Sequence, residues 1–98
     1  MRKSLLTTII LTYNESLHIE RCIKSVQAIS DRIIVVDSYS NDNTIEIALA
    51  NGAEVFQNPF VNQANQLNWG IDNASIDSNW IMRMDADEYL TEDRKSVV

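Results

Sequence analysis

Residues 80–88 of the chain read WIMRMDADE, an apolar strand pattern that runs directly into three carboxylates. Open α/β sheets bind ligands just beyond the carboxyl ends of their strands. Asp85 and Asp87 are two positions apart, so they project to the same side of an extended segment and could hold a hard cation such as Mg²⁺. An Asp-x-Asp pair by itself is weak evidence, and the segment could also be a solvated acidic loop. Whether this segment is a cation site or a solvated loop therefore depends on evidence from the rest of the sequence.

The composition predicts one small globular domain. The chain has 98 residues, of which 45% are hydrophobic and 22% are charged, and these are ordinary values for such a domain. Its formal net charge is −6, from 14 acidic and 8 basic side chains. Non-specific nucleic-acid binding depends on Lys and Arg that neutralise phosphates. We therefore expect no nucleic-acid partner. Phosphorylated ligands would instead be bound through a divalent metal.

Cysteine content and hydropathy favour a cytoplasmic location. Cys22 is the only cysteine, so no internal disulfide is possible. The apolar run 5–11 has some likeness to a signal peptide, but it contains Thr7 and Thr8 and leads into polar residues without a small-residue cleavage site. No stretch of the sequence reaches the roughly 18 apolar residues that a membrane span requires. We interpret the run 5–11 as a buried strand.

Short apolar runs alternate with segments of helical periodicity, which predicts βαβ units around a mainly parallel sheet. The predicted strands are 5–11, 33–36, 53–57 and 79–84. Helices are expected between them, the first over about 16–28, the second ending near Asn51 and the third over about 61–74. The expected fold class is therefore α/β, a three-layer α/β/α sandwich.

Two of the helices carry apolar stripes. The stripe of the first helix consists of Ile19, Cys22, Ile23 and Val26. The stripe of the third helix consists of Val61, Ala64, Leu67, Ile71 and Ala74, with Trp69 at its flank. Side chains at these spacings lie on one helix face and are expected to pack on the sheet. Cys22 is accordingly interpreted as a core residue, and His18, beside the first stripe, as a surface residue.

Polar side chains follow three of the predicted strands, in the segments 12–15, 37–38 and 85–87. The carboxyl ends of parallel strands joined by right-handed crossovers lie on one edge of a sheet, so these segments should meet in space. Neither of the two glycines, Gly52 and Gly70, follows a strand, and the dinucleotide fingerprint and the P-loop are both absent from the sequence. A nucleotide would therefore be held by side chains and metal.

The segments 9–15, 33–44 and 80–88 resemble, in order and spacing, the motifs of inverting family-2 glycosyltransferases of the GT-A fold. The resemblance covers nearly the whole chain, and its Asp-Ser and Asp-Ala-Asp-Glu variants are similar to bacterial enzymes of lipopolysaccharide and capsule assembly. It implies the Rossmann-like nucleotide-diphospho-sugar transferase fold with the strand order 3-2-1-4. The implied reaction is metal-assisted transfer of a sugar, with inversion, from a nucleoside-diphosphate sugar to an acceptor hydroxyl.

The resemblance implies a nucleotide-sugar site at the three strand ends. Its predicted residues are Thr12, Tyr13, Asn14, Glu15, Asp37, Ser38, Asp85 and Ala86. Glu15 would lie near the ribose or base, and Asp37 would accept a hydrogen bond from the base. Plainer roles stay open, because Asn14 and Glu15 could cap the first helix and Asp37 could cap the second.

The resemblance also implies a cofactor and two substrates. Asp87, together with Asp85, would hold a Mg²⁺ or Mn²⁺ ion that bridges the diphosphate. The donor would be a nucleotide sugar, with UDP-sugars favoured, and the acceptor a saccharide or a lipid-linked group. Family members often carry an arginine in the third helix near the donor, where this chain has Leu67. Neutralisation of the diphosphate charge would then depend more on the metal or on other basic groups.

No catalytic residue is predicted within the chain. Family members continue past the metal motif to an acceptor site and a carboxylate base, and Glu92 and Asp93 follow that motif too closely to be assigned as the base. We expect residues 1–98 to be the donor-binding N-terminal part of a transferase domain whose parent works at the inner face of the cell membrane. The alternative is a non-catalytic nucleotide-sugar-binding or interaction domain. Nucleotidyl transfer would need a basic, glycine-containing loop after the first strand, which the sequence lacks.

Overall fold

The computed structural model describes residues 5–91, which form a four-stranded sheet and three helices in strict alternation. The strands are β1 (Leu6–Thr12), β2 (Arg32–Asp37), β3 (Glu54–Gln57) and β4 (Trp80–Asp85). The helices are α1 (Ile19–Val26), α2 (Thr44–Ala50) and α3 (Gln63–Asn73). The sheet order is β3-β2-β1-β4, and every pair of neighbours is parallel. The predicted α/β fold and strand order are confirmed.

Helices α1 and α2 cover one face of the sheet. All four side chains of the predicted α1 stripe are fully buried, and they pack with Ile10, Val35 and Met84 of the sheet. Burial of an aliphatic side chain of this size stabilises the fold by about 1.5–3 kcal/mol. The interpretation of Cys22 as a core residue is confirmed, and burial, as the main cause, raises the pKa of its thiol to about 12.

Helix α3 covers the opposite face, and here the predicted stripe is partly wrong. Leu67, Ile71 and Ala74 do pack on this face, but Val61 and Ala64 are exposed. Val61 precedes the helix, which begins after an N-cap at residue 62. The buried positions of α3 are Gln66 and Gly70, which lie on a different line along the helix.

The register of the sheet brings the strand ends to one level. Thr12 pairs with Asp37 across β1 and β2, and Leu11 pairs with Asp85 across β1 and β4. The loops that follow β1, β2 and β4 therefore leave the sheet side by side. Within residues 5–91, none of the helices combines the length and the apolar character that crossing a bilayer requires.

Candidate active site

A cavity of about 270 Å³ lies where β1, β2 and β4 end. Seven of the residues predicted from the sequence line it, namely Thr12, Tyr13, Glu15, Ser38, Asp85, Ala86 and Asp87. These residues come from three segments that are distant in sequence, and the parallel register brings them together. The expected convergence of the strand ends is therefore observed in the structure.

Asp37 does not line this cavity but lies buried beside it. Its Oδ1 accepts hydrogen bonds from the hydroxyls of Thr12 (2.6 Å) and Ser40 (2.5 Å), and its Oδ2 accepts one from the Ser40 backbone N–H (2.8 Å). These bonds hold the Thr12 side chain and the turn after β2, whereas α2 begins only at Thr44. A contact between Asp37 and a base stays a prediction.

Asn14 joins the loop after β1 to the loop after β2. Its backbone N–H donates to Ser40 Oγ (2.8 Å), and its side-chain Oδ1 accepts from the Asn41 backbone N–H (2.7 Å). Its φ of +52° lies in the left-handed region, which Asn tolerates better than most residues. Asn14 therefore shapes the loop that presents Tyr13, and it is absent from the lining of the cavity.

Asp42 and Thr44 strengthen the same junction between the two loops. Asp42 Oδ1 accepts from the backbone N–H and the hydroxyl of Thr44, and Asp42 Oδ2 accepts from the Ser16 backbone N–H at 3.2 Å. Thr44 Oγ1 in turn accepts from the Glu15 backbone N–H at 2.9 Å. The hydrogen bond from the Thr44 hydroxyl is the largest of the effects that lower the pKa of Asp42 to about 2.

Glu15 combines the two roles that the sequence left open. Its backbone carbonyl accepts from the N–H groups of His18 and Ile19, both at 2.9 Å, and so starts the first helical turn. Its carboxylate lines the cavity, and Oε1 lies 2.9 Å from Nδ1 of the half-exposed His18. Glu15 therefore reaches the site through its side chain and supports α1 through its backbone.

A tight turn after β4 places the acidic residues. The Asp85 backbone N–H donates to Glu88 Oε1 (2.7 Å), and the Glu88 backbone N–H donates to the Asp85 carbonyl (2.9 Å), which leaves Asp87 exposed at the cavity. Desolvation raises the pKa of Asp85; nearby Glu88, Asp87 and Glu15 add to this rise, and Arg83 opposes it. Negative charge is therefore concentrated at this end of β4.

The residues present suit a cation that is only partly held by protein. The part of the chain that the structure describes contains no group of three or more His, Cys, Asp or Glu side chains arranged as a metal cage. Mg²⁺ is commonly held by one or two carboxylates, with the other positions taken by water and substrate phosphates. Asp85 and Asp87 match that pattern, and their assignment as ligands stays a prediction.

Phe60 and Gln63 lie at the site and were missed from the sequence. Phe60 and Tyr13, each 56% exposed, border with Ser38 an apolar pocket of about 390 Å³ next to the acidic cavity. Gln63 also lines the acidic cavity, and its Oε1 accepts from Arg83 Nη1 at 3.1 Å. The available signal was position, because residues 58–63 follow β3 at the same edge of the sheet.

The glycosyl transferase family 2 model matches residues 7–98, and the chain belongs to this family. An uncharacterised glycosyltransferase of Rickettsia prowazekii is 38% identical over 88 residues, which are 90% of this chain and 30% of the relative. The prophage-derived glycosyltransferase SunS of Bacillus subtilis is 34% identical over 95 residues, which are 91% of this chain and 21% of SunS. The chain thus spans a third or less of the length of these relatives.

Among solved structures, the fold is similar to glucosyl-3-phosphoglycerate synthase from Mycobacterium tuberculosis. In its complex with Mn²⁺, UDP and glucosyl-3-phosphoglycerate, the TM-score is 0.70 at 25% identity over 87% of this chain and 34% of the synthase. Its complex with Mn²⁺ and UDP-glucose also gives a TM-score of 0.70 at 25% identity, over 88% of this chain and 34% of the synthase. The predicted GT-A fold is therefore confirmed.

Proposed function

We propose that residues 1–98 form the donor-binding part of a longer glycosyltransferase that takes its sugar from a nucleoside-diphosphate sugar. The observation that carries this proposal is the meeting of three strand ends at one cavity, which is acidic on the β4 side and continues into an apolar pocket. A nucleotide sugar has the matching parts, because a flat base is joined through a hydroxyl-bearing ribose to a diphosphate that binds metal. The lengths of the curated relatives also support a longer parent.

In this proposal the base occupies the pocket between Tyr13 and Phe60. Stacking on an aromatic ring contributes about 1–3 kcal/mol per base, and both rings are half-exposed before any ligand binds. Thr12 and Ser38 supply polar atoms in the adjoining acidic cavity. UDP is the favoured nucleotide, and the Mycobacterium synthase bound to UDP supports that choice.

Asp85 and Asp87 are the residues that would hold Mg²⁺ or Mn²⁺. When bound there, the cation would neutralise charge on the diphosphate as it leaves. The synthase complexes with Mn²⁺ and with Mg²⁺ support the use of a divalent metal in this fold. The chain's own contribution is to hold the two carboxylates at the cavity through the turn closed by Glu88.

The proposed reaction is a single displacement with inversion. The acceptor hydroxyl oxygen forms a bond to the anomeric carbon while the bond from that carbon to the diphosphate oxygen breaks. The nucleoside diphosphate leaves with the electron pair, and the hydroxyl proton passes to a general base. We expect that base beyond residue 88, and Glu92 and Asp93 lie outside the described residues.

The proposed setting is bacterial cell-surface polysaccharide or lipopolysaccharide synthesis. The acceptor would then be a saccharide or a lipid-linked group, and the parent would act in the cytoplasm at the inner face of the membrane. The motif variants in residues 37–38 and 85–88 are the support for this setting.

Calorimetric titration of the chain with UDP, GDP and several nucleotide sugars, with and without Mn²⁺, tests the donor site. We expect UDP to bind, and Mn²⁺ to tighten its binding about tenfold or more, because the cation links two carboxylates to the diphosphate. Asp87→Ala should abolish the gain from Mn²⁺ and leave the fold intact. Asp72→Ala, an exposed change on α3 with the same loss of charge, is the control. An unchanged Mn²⁺ effect in Asp87→Ala would refute the role of Asp87.

Release of nucleoside diphosphate in the presence of candidate acceptors separates binding from transfer. We expect residues 1–98 alone to turn over negligibly, since positioned acid–base chemistry contributes about 10²–10⁴-fold to a rate. An extended parent protein should transfer the sugar. A parent that binds UDP-sugars but transfers none would favour the non-catalytic domain instead.

A further inference from the structure

The carboxylates of the acidic cavity would repel the diphosphate of the donor proposed above. Glu15, Asp85 and Asp87 all line this cavity, whereas the diphosphate of a nucleotide sugar is itself an anion. A divalent cation would offset part of this repulsion, and a basic side chain at the same place would offset more. The location of the basic residues is therefore informative.

Of the Lys and Arg side chains that the structure describes, Arg83 is the one that contacts residues lining the cavity. Arg21 lies over the ring of Tyr89, with its Cζ 4.1 Å from the ring centroid. Lys24 pairs with Glu20 on α1 at 3.3 Å, and Arg32 pairs with Glu54 at 2.8 Å. Arg83 instead contacts Gln63 and Asp85, and both of these residues line the acidic cavity.

The position of Arg83 follows from strand geometry. Side chains two residues apart on a strand point to the same face, so Arg83 and Asp85 share the α3 side of β4. A groove of about 270 Å³ lined by Gln63, Ala64, Leu67 and Arg83 adjoins the acidic cavity, and Gln63 borders both. The guanidinium is therefore on the wall between the groove and the site of the acidic residues.

The present contacts of Arg83 are weak enough to exchange. The Nη1 atom lies 3.5 Å from Asp85 Oδ1, and both side chains are 37% exposed; ion pairs of this kind contribute about 0–1 kcal/mol. A cation on Asp85 would compete for the carboxylate that Arg83 now approaches. The guanidinium carries five N–H donors, and its fork matches two oxygens of a phosphate.

We propose that Arg83 is a donor-binding residue whose guanidinium binds the diphosphate of the nucleotide, with Gln63 orienting it. This role rests on the proposed function of the cavity. It also explains how the site can bind a diphosphate although Leu67, an apolar residue on the same groove, stands where family members often carry an arginine. The cationic group would come from β4 rather than from α3.

The test measures calorimetric affinities of the 98-residue chain for UDP and for uridine in the presence of Mn²⁺. Arg83→Gln should weaken UDP binding about tenfold and change uridine binding less than about twofold, because only UDP has the diphosphate. Arg83→Lys, which keeps the charge without the fork, should recover part of the affinity. Lys24→Gln, which removes the same charge from the exposed face of α1, should bind both ligands like the wild type.

Three outcomes would overturn the assignment. Equal UDP affinity in Arg83→Gln and wild type would mean that the guanidinium does not contact the diphosphate. Loss of uridine binding to the same extent would show a general disturbance of the site. Failure of the wild type to bind UDP at all would refute the proposed function itself, and Arg83 would lose its role with it.

Discussion

Helices α1 and α3 pack on opposite faces of the same sheet, yet they bury different chemistry. Helix α1 buries four apolar side chains at the spacing that the sequence predicts. Helix α3 buries Gln66 and Gly70, while Leu67 and Ile71 are only half-buried. One face of the sheet thus packs against the apolar stripe of an amphipathic helix, and the other face packs against a helix that buries a polar side chain.

The difference reflects what each helix has to support. Gln66 Nε2 donates to Ser38 Oγ (3.0 Å) and to the Asn58 carbonyl (2.9 Å), and its Oε1 accepts from Asn58 Nδ2 (2.8 Å). Ser38 lines the cavity and residue 58 begins the loop that carries Phe60. Helix α1 therefore contributes mainly to stability, whereas α3 also fixes two loops of the proposed donor site.

The largest effect on stability is expected at Ile23 of α1, which is fully buried. Ile23→Ala should lower the free energy of unfolding by about 2–5 kcal/mol, because it removes apolar contacts and leaves a cavity. Urea denaturation measures this loss, and Ile23→Val, expected to cost about 0.5–1.5 kcal/mol, is the matched control. UDP affinity of the folded fraction should stay unchanged, and a large loss of affinity would contradict the division between α1 and α3.

Gln66→Ala should affect both stability and binding. It removes the hydrogen bonds from Gln66 to the side-chain amide and the carbonyl of the half-buried Asn58, which costs about 1–3 kcal/mol, and it frees Ser38 at the cavity. We expect a measurable loss of UDP affinity in calorimetry in addition to the loss in urea denaturation. Asn68→Ala, at an exposed position of the same helix, should change neither, and normal UDP binding by Gln66→Ala would limit Gln66 to packing.

Gly70→Ala probes how closely α3 approaches the sheet. A Cβ at this position would lie 2.8 Å from Cγ2 of the buried Val36. Overpacking of this kind costs about 1–3 kcal/mol, against which alanine recovers about 1 kcal/mol of helix propensity. The net change in the free energy of unfolding is therefore expected between about zero and a loss of about 2 kcal/mol. The cost of Gly70→Ala should be smaller in a Val36→Ala background, since the two side chains then no longer collide. Strict additivity of the two losses would show that α3 shifts away from the sheet instead.

Asp42→Asn should give the smallest effect and a pH-dependent one. The folded pKa of Asp42 is lowered to about 2 from 3.8, so its stabilising contribution is present above pH 4 and disappears as the pH falls towards 2. The free energy of unfolding of the wild type should exceed that of the variant by no more than about 1 kcal/mol near neutral pH, because solvent screens a charge this close to the surface, and the gap should close at low pH. Urea midpoints measured from pH 7 to pH 2 provide the check. A gap independent of pH would mean that the charge of Asp42 contributes nothing.

Prediction from the sequence succeeded where one local pattern had one structural outcome. The β-branched runs of β1 and β2 and the apolar stripe of α1 need only be buried, and the structure buries them. It failed on α3, because Gln66 reads as a surface residue until its partners Asn58 and Ser38 are known. Phe60 was missed for a similar reason, since an aromatic residue after a proline shows its importance only when β3 places it beside Tyr13.

The sequence by itself determined the alternation of strands and helices, the α1 core and the acidic end of β4. Each of these follows from side-chain periodicity within one short segment. Only the tertiary structure decided that Asp37 and Asn14 tie loops together beside the cavity and that Gln66 is buried. It also decided that Arg83 contacts Gln63, which lines the cavity. Those outcomes depend on strand register and helix rotation, which bring together residues far apart in the chain, and no local pattern encodes such distances.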